Sequence, residues 1–230
     1  MDSKKDTAKW AASRGALEFV KDGMRLGLGT GSTAEKFVIL LAQKCKEENW
    51  HLICVPTSER TAKQAEELGL ILDKDYPDFG HLDLTVDGAD EVDPQGNLTK
   101  GGGGALLREK FVAMASDKMI VIVDEAKHVH RLGETFKIPI EIVAFAWTNT
   151  LKKLSQLAQE VHLRQRDGKT FVTDQGNYIA DCVFPGIEDP QKLHALLKSI
   201  SGVVETGIFA NIAKVCVTGK EDGTWECVEF

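Results

Sequence analysis

The sequence predicts an α/β fold in which a parallel sheet is covered by helices on both faces, followed by a smaller α+β domain. Strand and helix patterns alternate along the first half of the chain, and the last strand of that series, residues 119–123, is apolar throughout. Alternation of this kind is typical of parallel sheets, whose inner strands are buried on both faces. After Gly133 the pattern becomes rich in turns, which indicates a second domain.

The spacing of apolar residues predicts the elements of the first part. Apolar residues three or four positions apart indicate helices, and short apolar runs bounded by turn residues indicate strands. The predicted helices cover residues 9–20, 33–48, 58–68 and 105–115. The predicted strands cover residues 24–28, 52–55, 82–86 and 119–123. Because the strands are parallel, functional residues are expected at their carboxyl ends.

The later part predicts a small α+β domain, for which the ferredoxin-like type is the candidate. Strands are expected at residues 138–145, 161–166, 169–173 and 178–183, and helices at 150–159 and 190–199. The Asp167-Gly168 pair between two of these strands indicates a hairpin. We therefore predict a Rossmann-like domain from residues 1–132 and 205–230, to which the segment 203–217 returns, and a small domain from residues 133–204. Its apolar strand at 138–145, without candidate catalytic groups, suggests an oligomer interface.

Composition narrows the class of protein. The chain has 230 residues, 43% of them apolar, and a net charge of −7, which argues against a nucleic-acid-binding surface. Its five cysteines form no C-x-x-C pair, and an odd number of them fits a reducing compartment. The first residues lack an apolar signal core, and the longest apolar run, residues 37–42, is too short to cross a bilayer. We expect a cytoplasmic protein with neither a nucleic-acid nor a membrane partner.

A turn with three glycines, residues 27–31, leads from a predicted strand into a helix. Helix N–H groups and the hydroxyl groups of the turn can hold an anion there. Gly29, Gly31 and Ala34 also fit the spacing of a dinucleotide site, but the next strand ends without the acidic residue that would hold a ribose. The turn lacks the lysine of a P-loop. A phosphate or polyol site is favoured, and a dinucleotide site remains the alternative.

Acidic residues crowd the end of the strand at residues 82–86. Carboxylates in such proximity repel one another, so Asp87 and Asp90, which flank Gly88 and Ala89, are candidates for binding sugar hydroxyls. A magnesium site is the other possibility. Asp93, directly before a proline, is interpreted as part of a solvated turn.

Four consecutive glycines, residues 101–104, precede the helix that contains Glu109. A flexible loop is the simplest interpretation, but N–H groups of the loop could converge on an anion or a developing oxyanion, next to the positive charge of Lys100. On position alone, Glu109 is one helical glutamate among many. Lys127, after the strand 119–123, could reach a phosphate, whereas His128 and His130 are two residues apart and do not suit a shared metal on a helix.

Together these segments resemble ribose-5-phosphate isomerases of type A. The matching stretches cover nearly the whole chain in order: residues 29–33, 87–91, 100–103 and 108–110, Lys127 after Asp124, and residues 139–146 and 202–209. The chain departs from the family at Gly104, where many relatives have alanine, and at Leu107, where a small or polar residue is expected.

The resemblance implies interconversion of ribose 5-phosphate and ribulose 5-phosphate in the non-oxidative pentose phosphate pathway. It implies an enzyme without metal or cofactor that forms a homodimer or homotetramer, with Glu109 as the catalytic base and Asp87 and Lys100 as further catalytic groups. The substrate-binding residues that it implies are Thr30, Gly31, Ser32, Thr33, Asp87, Gly88, Ala89, Asp90, Lys100, Gly101, Gly102, Gly103 and Lys127.

The residues favour the same chemistry. An aldose and a ketose exchange either by hydride transfer, which needs a metal, or by proton transfer through an enediolate, which needs a base and oxyanion stabilisation. The sequence has no persuasive metal-binding constellation, so the proton route is favoured, with Glu109 moving the proton between C2 and C1. Two alternatives stay open: a dinucleotide-dependent oxidoreductase and a non-catalytic sugar-phosphate sensor.

Overall fold

The chain folds into two compact units. The computed structural model describes residues 4–73 and 78–230. Unit 1 comprises the described residues of Met1–Ala89, Arg108–Lys127 and Ile212–Phe230, and unit 2 comprises Asp90–Leu107 and His128–Asn211. The predicted division kept residues 90–107 with the large sheet, whereas these residues are grouped with unit 2 here.

The helices and strands are as follows. The helices are α1 (Lys4–Leu17), α2 (Ser32–Glu48), α3 (Glu59–Glu67), α4 (Leu106–Met114), α5 (Trp147–Leu154) and α6 (Pro190–Lys198), with a 3₁₀ turn at Glu125–Lys127. The strands are β1 (Arg25–Leu28), β2 (Ile53–Pro56), β3 (Ile71–Leu72), β4 (Leu82–Gly88), β5 (Glu91–Val92), β6 (Leu98–Thr99), β7 (Ser116–Asp124), β8 (Ile138–Ile142), β9 (Glu160–Leu163), β10 (Gln165–Arg166), β11 (Lys169–Thr170), β12 (Tyr178–Val183), β13 (Val203–Thr206), β14 (Ile208–Phe209), β15 (Ala213–Gly219) and β16 (Trp225–Glu229).

The main sheet of unit 1 has the strand order β16-β15-β7-β4-β1-β2-β3 and is parallel except for the edge strand β16. This arrangement confirms the predicted parallel sheet. Strands β7 and β4 lie inside it, which explains why residues 119–123 are apolar throughout. From β1 the chain builds outward through β2 and β3, and then returns to place β4 on the other side of β1. The strand order therefore reverses between β1 and β4, where open α/β sheets bind ligands.

Helices cover both faces of this sheet. On one face, Ala12 of α1 and Phe37 and Leu41 of α2 pack in a single core with Leu26 and Ile120 of the strands. On the other face, α4 lies so close that a Cβ added at Gly27 would meet Cγ1 of Val112 at 2.4 Å. The alternation of side chains along each strand separates these two layers.

Unit 2 contains an antiparallel sheet with the order β13-β8-β12-β9. Along the chain its elements follow as β8, α5, β9, β12, α6 and β13, the ferredoxin-like βαββαβ arrangement that the sequence predicted. The expected Asp-Gly hairpin joins β10 and β11, and Asp167 and Gly168 both have positive φ, as a two-residue type I′ turn requires.

Several local predictions differ from the structure. Helix α5 is Trp147–Leu154 and not 150–159, and β11 ends at Thr170 and not at residue 173. Strand β8 ends at Ile142 instead of residue 145, and Phe145 is 88% exposed. Segment 203–217 returns to unit 1 only from Ile212, because β13 pairs with β8. Asp93 is not solvated: it is buried in the β5–β6 turn, where its carboxylate accepts hydrogen bonds from the N–H groups of Gln95 and Asn97.

Two further features concern the expected cellular environment, namely the length of the helices and the state of the cysteines. Within residues 4–73 and 78–230, no helix is long and apolar enough to cross a membrane. The five cysteines are unpaired thiols, and burial raises the pKa of Cys54 and Cys182 to about 12 and of Cys216 to about 11. These three thiols stay protonated at neutral pH, so they are poor nucleophiles.

A buried carboxyl group lies in the middle of the unit 2 sheet. Glu141 of β8 is fully buried, and its Oε1 accepts hydrogen bonds from Thr173 Oγ1 at 2.9 Å and Asn177 Nδ2 at 3.0 Å. Its Oε2 has no hydrogen-bond partner among the described residues. Burial, and secondarily the nearby carboxylates of Glu205 and Asp174, raises the pKa of Glu141.

This raised pKa predicts a pH-dependent stability. Between the ordinary glutamate value of 4.5 and the raised pKa, the folded state holds a proton that the unfolded chain has lost. The free energy of unfolding therefore falls as pH rises through that window. Glu141→Gln should remove this contribution, so chemical denaturation from about pH 4.5 to about pH 8 should show the variant gaining on the parent. A parent-to-variant difference that stays constant with pH, like that of the exposed control Glu188→Gln, would contradict this.

Candidate active site

Two predicted site segments meet where the strand order reverses. The glycine turn follows β1, and the fully buried Asp87 lies near the end of the neighbouring β4. Asp87 Oδ1 accepts hydrogen bonds from the backbone N–H of Thr30 at 3.0 Å and of Gly88 at 2.7 Å. Hydrogen bonds to a carboxylate are among the strong ones in proteins. The structure thus joins the turn and the acidic segment through one carboxylate.

Gly29 is required by this contact. A Cβ at residue 29 would lie 2.2 Å from Oδ1 and 2.5 Å from Cα of Asp87, far inside van der Waals contact. Because β4 is an inner strand, it cannot move away to make room. Glycine at residue 29 therefore allows the turn to lie directly against the carboxylate of Asp87.

A cluster of hydroxyl groups contacts the glycine turn after β1. Thr30 Oγ1 lies 2.7 Å from Thr57 Oγ1, 2.8 Å from Ser58 Oγ and 3.1 Å from Thr61 Oγ1, and the carbonyl oxygen of Gly29 accepts a hydrogen bond from Thr61. The cluster is buried, so the Thr30 hydroxyl fixes the shape of the turn. Its three partners were missed from the sequence, where their only signal is a run of hydroxyl residues after β2.

The glycine turn ends at the amino terminus of α2, where the helix N–H groups and a lysine create a positive field. Gly31 is its N-cap residue and makes no side-chain cap, and Lys9 Nζ of α1 donates a hydrogen bond to Ser32 Oγ at 2.8 Å. The N–H groups at a helix start favour an anion, and the ammonium group adds to this field. Lys9 was missed, because one lysine in a helix carries no signal. Thr33 is half-buried in the first turn of α2, and Lys127 is half-buried after β7, whose carboxyl end lies at the same edge of the sheet.

Glu109 is almost completely buried on α4, with 3% of its surface exposed. Thr85 Oγ1 of β4 donates a hydrogen bond to the carbonyl oxygen of Val112, so this face of β4 contacts α4. From Thr85 to Asp87 the strand advances about 6.6 Å on the same face. From Val112 back to Glu109 the helix moves about 4.5 Å in the same direction, because α4 runs antiparallel to the strands. Asp87 and Glu109 are thus placed at the same end of the same face.

An ion pair anchors the start of this helix within unit 1. Arg108 Nη1 donates a hydrogen bond to Glu59 Oε1 of α3 at 2.7 Å. Arg108 belongs to the Arg-Glu-Lys stretch that supported the family resemblance. Its contact with α3 orients the helical turn that contains Glu109.

The glycine loop belongs to unit 2, together with Asp90 and Lys100. Asp90 Oδ2 accepts a hydrogen bond from the N–H of Gly102 at 2.8 Å. Lys100 is 2% exposed, its N–H donates to the carbonyl oxygen of Gly207 at 2.8 Å, and its Nζ lies 5.6 Å from the ring centroid of Phe209. These contacts hold the loop at Lys100 and at Gly102, although Gly102 and Gly103 are exposed. The loop is therefore anchored and not freely flexible.

Gly104 has a structural reason to be glycine in this chain. Its φ of +88° is in the left-handed region, and a Cβ there would lie 2.4 Å from Cζ of Phe171. The departure from the family pattern at this position is matched by an aromatic ring packed directly against it.

Glu91, one of the acidic residues after β4, has a structural role that was not predicted from the sequence. The residue is fully buried, and its carboxylate accepts hydrogen bonds from Thr99 Oγ1, from Thr135 Oγ1 and from the N–H groups of Gly133, Thr135 and Phe136. Glu91 is thus a structural anchor of the hairpin between Asp90 and Lys100. Among the described residues, no group of three or more His, Cys, Asp or Glu side chains has an arrangement that could hold a metal ion.

The chain is similar in sequence to known proteins. The sequence model of the family described as ribose 5-phosphate isomerase A (phosphoriboisomerase A) matches residues 53–223. The chain belongs to this family. It is 52% identical over 221 residues to ribose-5-phosphate isomerase A of Brucella suis biovar 1, covering 94% of each chain. It is 50% identical over 226 residues to that of Parvibaculum lavamentivorans, covering 95% of this chain and 96% of the relative.

The fold of this chain is also similar to that of a solved structure of the family. The structure of a D-ribose-5-phosphate isomerase in complex with phospho-erythronic acid has 37% sequence identity and a TM-score of 0.92, and the match covers 100% of both chains. These similarities confirm the family and the fold class. They give no support to the dinucleotide-dependent oxidoreductase or to the non-catalytic sensor.

The hydroxyl cluster yields a test of what Thr30 does. Thr30→Val keeps the shape of the side chain but removes the oxygen that three buried hydroxyl groups share. The free energy of unfolding should fall by about 1–3 kcal/mol, the cost of leaving buried polar groups without a partner. Thr33→Val, in the more exposed first turn of α2, should change it by less than about 0.5 kcal/mol. Equal urea midpoints for both variants would show that the cluster contributes no stability.

Proposed function

We propose that this chain interconverts ribose 5-phosphate and ribulose 5-phosphate by proton transfer through an enediolate, in the non-oxidative pentose phosphate pathway. Membership of the family supports the substrate and the type of reaction. The observation that carries the mechanism is the placement of two buried carboxylates, Asp87 and Glu109, at the same end and face of the unit 1 sheet. This position is also where the strand order reverses and where ligands bind in open α/β sheets.

Glu109 is proposed as the base. It would take the proton from C2 of the open-chain aldose and return it to C1, so that one carboxylate acts first as base and then as acid. Its burial suits this task, because a site closed to water limits the exchange of the transferred proton with solvent. The neighbouring Arg108 pairs with Glu59, so the turn of α4 that contains Glu109 contacts α3.

Asp87 and Lys100 are proposed as the further catalytic groups. The Oδ1 of Asp87 is fixed by two N–H donors, which orients the carboxylate to exchange a proton with a sugar hydroxyl during ring opening. The ammonium group of Lys100 and the N–H groups of the loop at Gly101–Gly103 would stabilise the enediolate oxygens, where negative charge develops. Asp90, Gly88 and Ala89 are proposed to contact the sugar.

The phosphate is proposed to bind at the start of α2, with Lys127 as a second cation. The residues there are Thr30, Gly31, Ser32 and Thr33, and the Lys9 ammonium group beside Ser32 extends the predicted set. The related structure contains phospho-erythronic acid, which supports a phosphate-bearing substrate for the family. That compound joins a phosphate to a planar carboxylate, whose two oxygens resemble those of an enediolate.

The remaining proposals follow from the chemistry and the family resemblance. Proton transfer by a carboxylate needs no redox cofactor and no metal, so none is proposed. We propose a cytoplasmic homodimer or homotetramer. We expect the exposed Phe145, and not the whole strand at 138–145, to contribute to the interface, because β8 lies inside its own sheet, between β13 and β12.

Replacing the proposed base tests this mechanism. Glu109→Gln keeps the shape of the side chain but removes its basicity, so kcat should fall by about 10²–10⁴-fold, the usual contribution of a positioned acid–base group. The assay is turnover of ribose 5-phosphate by enzyme pretreated with a chelator, which tests metal independence at the same time. Glu67→Gln, an exposed glutamate of α3, is the control and should keep the kcat of the parent. Near-normal kcat for Glu109→Gln would exclude Glu109 as the base.

Removing the second cation tests the phosphate site. Lys127→Ala should raise KM several-fold with little change in kcat, since a group that only binds phosphate stabilises ground and transition states alike. Lys214→Ala removes an exposed lysine from β15 and should leave both parameters unchanged. The proposed role of Lys127 is wrong if its KM matches that of the Lys214 variant.

A further inference from the structure

Arg164, between β9 and β10 of unit 2, contacts the backbone of the glycine loop. Its Nη1 donates hydrogen bonds to the carbonyl oxygen of Gly101 at 2.7 Å and to that of Gly102 at 3.2 Å. The Arg164 side chain is only 12% exposed, although it is charged. A guanidinium group so far removed from water needs partners for all its donors, and two consecutive carbonyls of the loop supply some of them.

Asp181 of β12 holds this guanidinium group from the other side. Its two carboxylate oxygens accept hydrogen bonds from Nε and Nη2 of Arg164, the paired geometry that favours arginine over lysine. The Phe171 ring lies 6.0 Å from the Arg164 guanidinium carbon and packs against Gly104. A residue of the unit 2 sheet, Asp181, thus orients the guanidinium group that contacts the loop.

The carbonyl contacts determine where the N–H groups of the loop point. In a trans peptide the C=O and the following N–H point in opposite directions. The carbonyl of Gly101 faces Arg164, and the N–H of Gly102, in the same peptide, donates to Asp90 Oδ2 on the opposite side. By the same geometry the carbonyl of Gly102, which faces Arg164, turns the N–H of Gly103 away from Arg164.

We propose that Arg164 is a positioning residue of the isomerase, which acts with Asp181 as its orienting partner. The pair fixes two successive peptide planes of the glycine loop, so that the Gly103 N–H is held in the direction of the substrate oxygens before the sugar arrives. This inference rests on the proposed function, and it gives unit 2 a catalytic task. Ordering four glycines costs more conformational entropy than ordering any other residues, and the guanidinium contacts offset this cost in advance.

The consequence is a specific kinetic pattern. A donor that is aimed at a developing oxyanion acts in the transition state, and removing such a donor outright costs about 10²–10³-fold in kcat. A loosened donor should cost less. We therefore expect loss of the Arg164 contacts to lower kcat by about 10–100-fold and to change KM by less than about threefold.

The test compares Arg164→Lys with the matched control Arg166→Lys. Lysine keeps the charge and most of the volume, but a single ammonium group cannot serve both Asp181 oxygens and two carbonyls. Arg166 lies 4.4 Å from the same Phe171 ring and is exposed, so the control removes a guanidinium group from the same neighbourhood. In both variants kcat, KM and thermal midpoint are measured with ribose 5-phosphate, and amide hydrogen exchange is measured over residues 101–104.

The expected result is a lowered kcat, a nearly unchanged KM and faster loop exchange for Arg164→Lys alone. Guanidinium ion added to Arg164→Ala should recover part of kcat, and the same addition to Arg166→Ala should have no effect. The proposal is overturned if the two lysine variants have equal kcat, if the loss is confined to KM, or if only the thermal midpoint changes. If the parent chain does not turn over ribose 5-phosphate, the proposed function fails, and the exchange rates still decide whether Arg164 orders the loop.

Discussion

The buried carboxylate of Asp87 is the group on which the organisation of unit 1 depends. It lies near the end of an inner strand, and the N–H groups of Thr30 and Gly88 hold its Oδ1. This contact requires glycine at residue 29, brings the turn after β1 against β4, and so sets the position from which α2 begins. A buried charge is tolerated only where such donors compensate for lost water. The same fixed carboxylate is what a sugar hydroxyl would meet on binding.

Both units contain buried polar groups, and the groups that satisfy their hydrogen bonds differ between the units. In unit 1, hydroxyl groups around Thr30 and the N–H groups near Asp87 satisfy one another. In unit 2, Glu91 anchors the hairpin that leads to Lys100, and the Arg164–Asp181 pair holds the glycine loop. The residues proposed to contact the substrate are few, and a larger set of buried polar residues keeps them in place. Such support is what a preorganised site needs, since hydrogen bonds that are already oriented cost nothing to arrange during the reaction.

Family membership and fold were accessible from the sequence because they depend on local patterns. The glycine turn, the Asp-Gly-Ala-Asp-Glu stretch and the glycine run are continuous in the chain, so their resemblance to the isomerase family could be seen directly. The apolar run at 119–123 predicted an inner parallel strand, and the strand order confirms it. The Asp-Gly pair at 167–168 predicted its hairpin, because both residues readily adopt positive φ.

The parallel sheet, the ferredoxin-like order of the later elements and the family of the chain could all be predicted from local sequence patterns. Three features could be seen only in the folded chain: the pairing of β13 with β8, the burial of Asp93, and the contacts of Thr57, Ser58 and Arg164 with distant segments. The physical reason is the range of the interactions. Period, turn chemistry and motif spacing act over a few residues, whereas a hydrogen bond such as that from Arg164 to Gly101 joins residues 63 positions apart and leaves no local pattern.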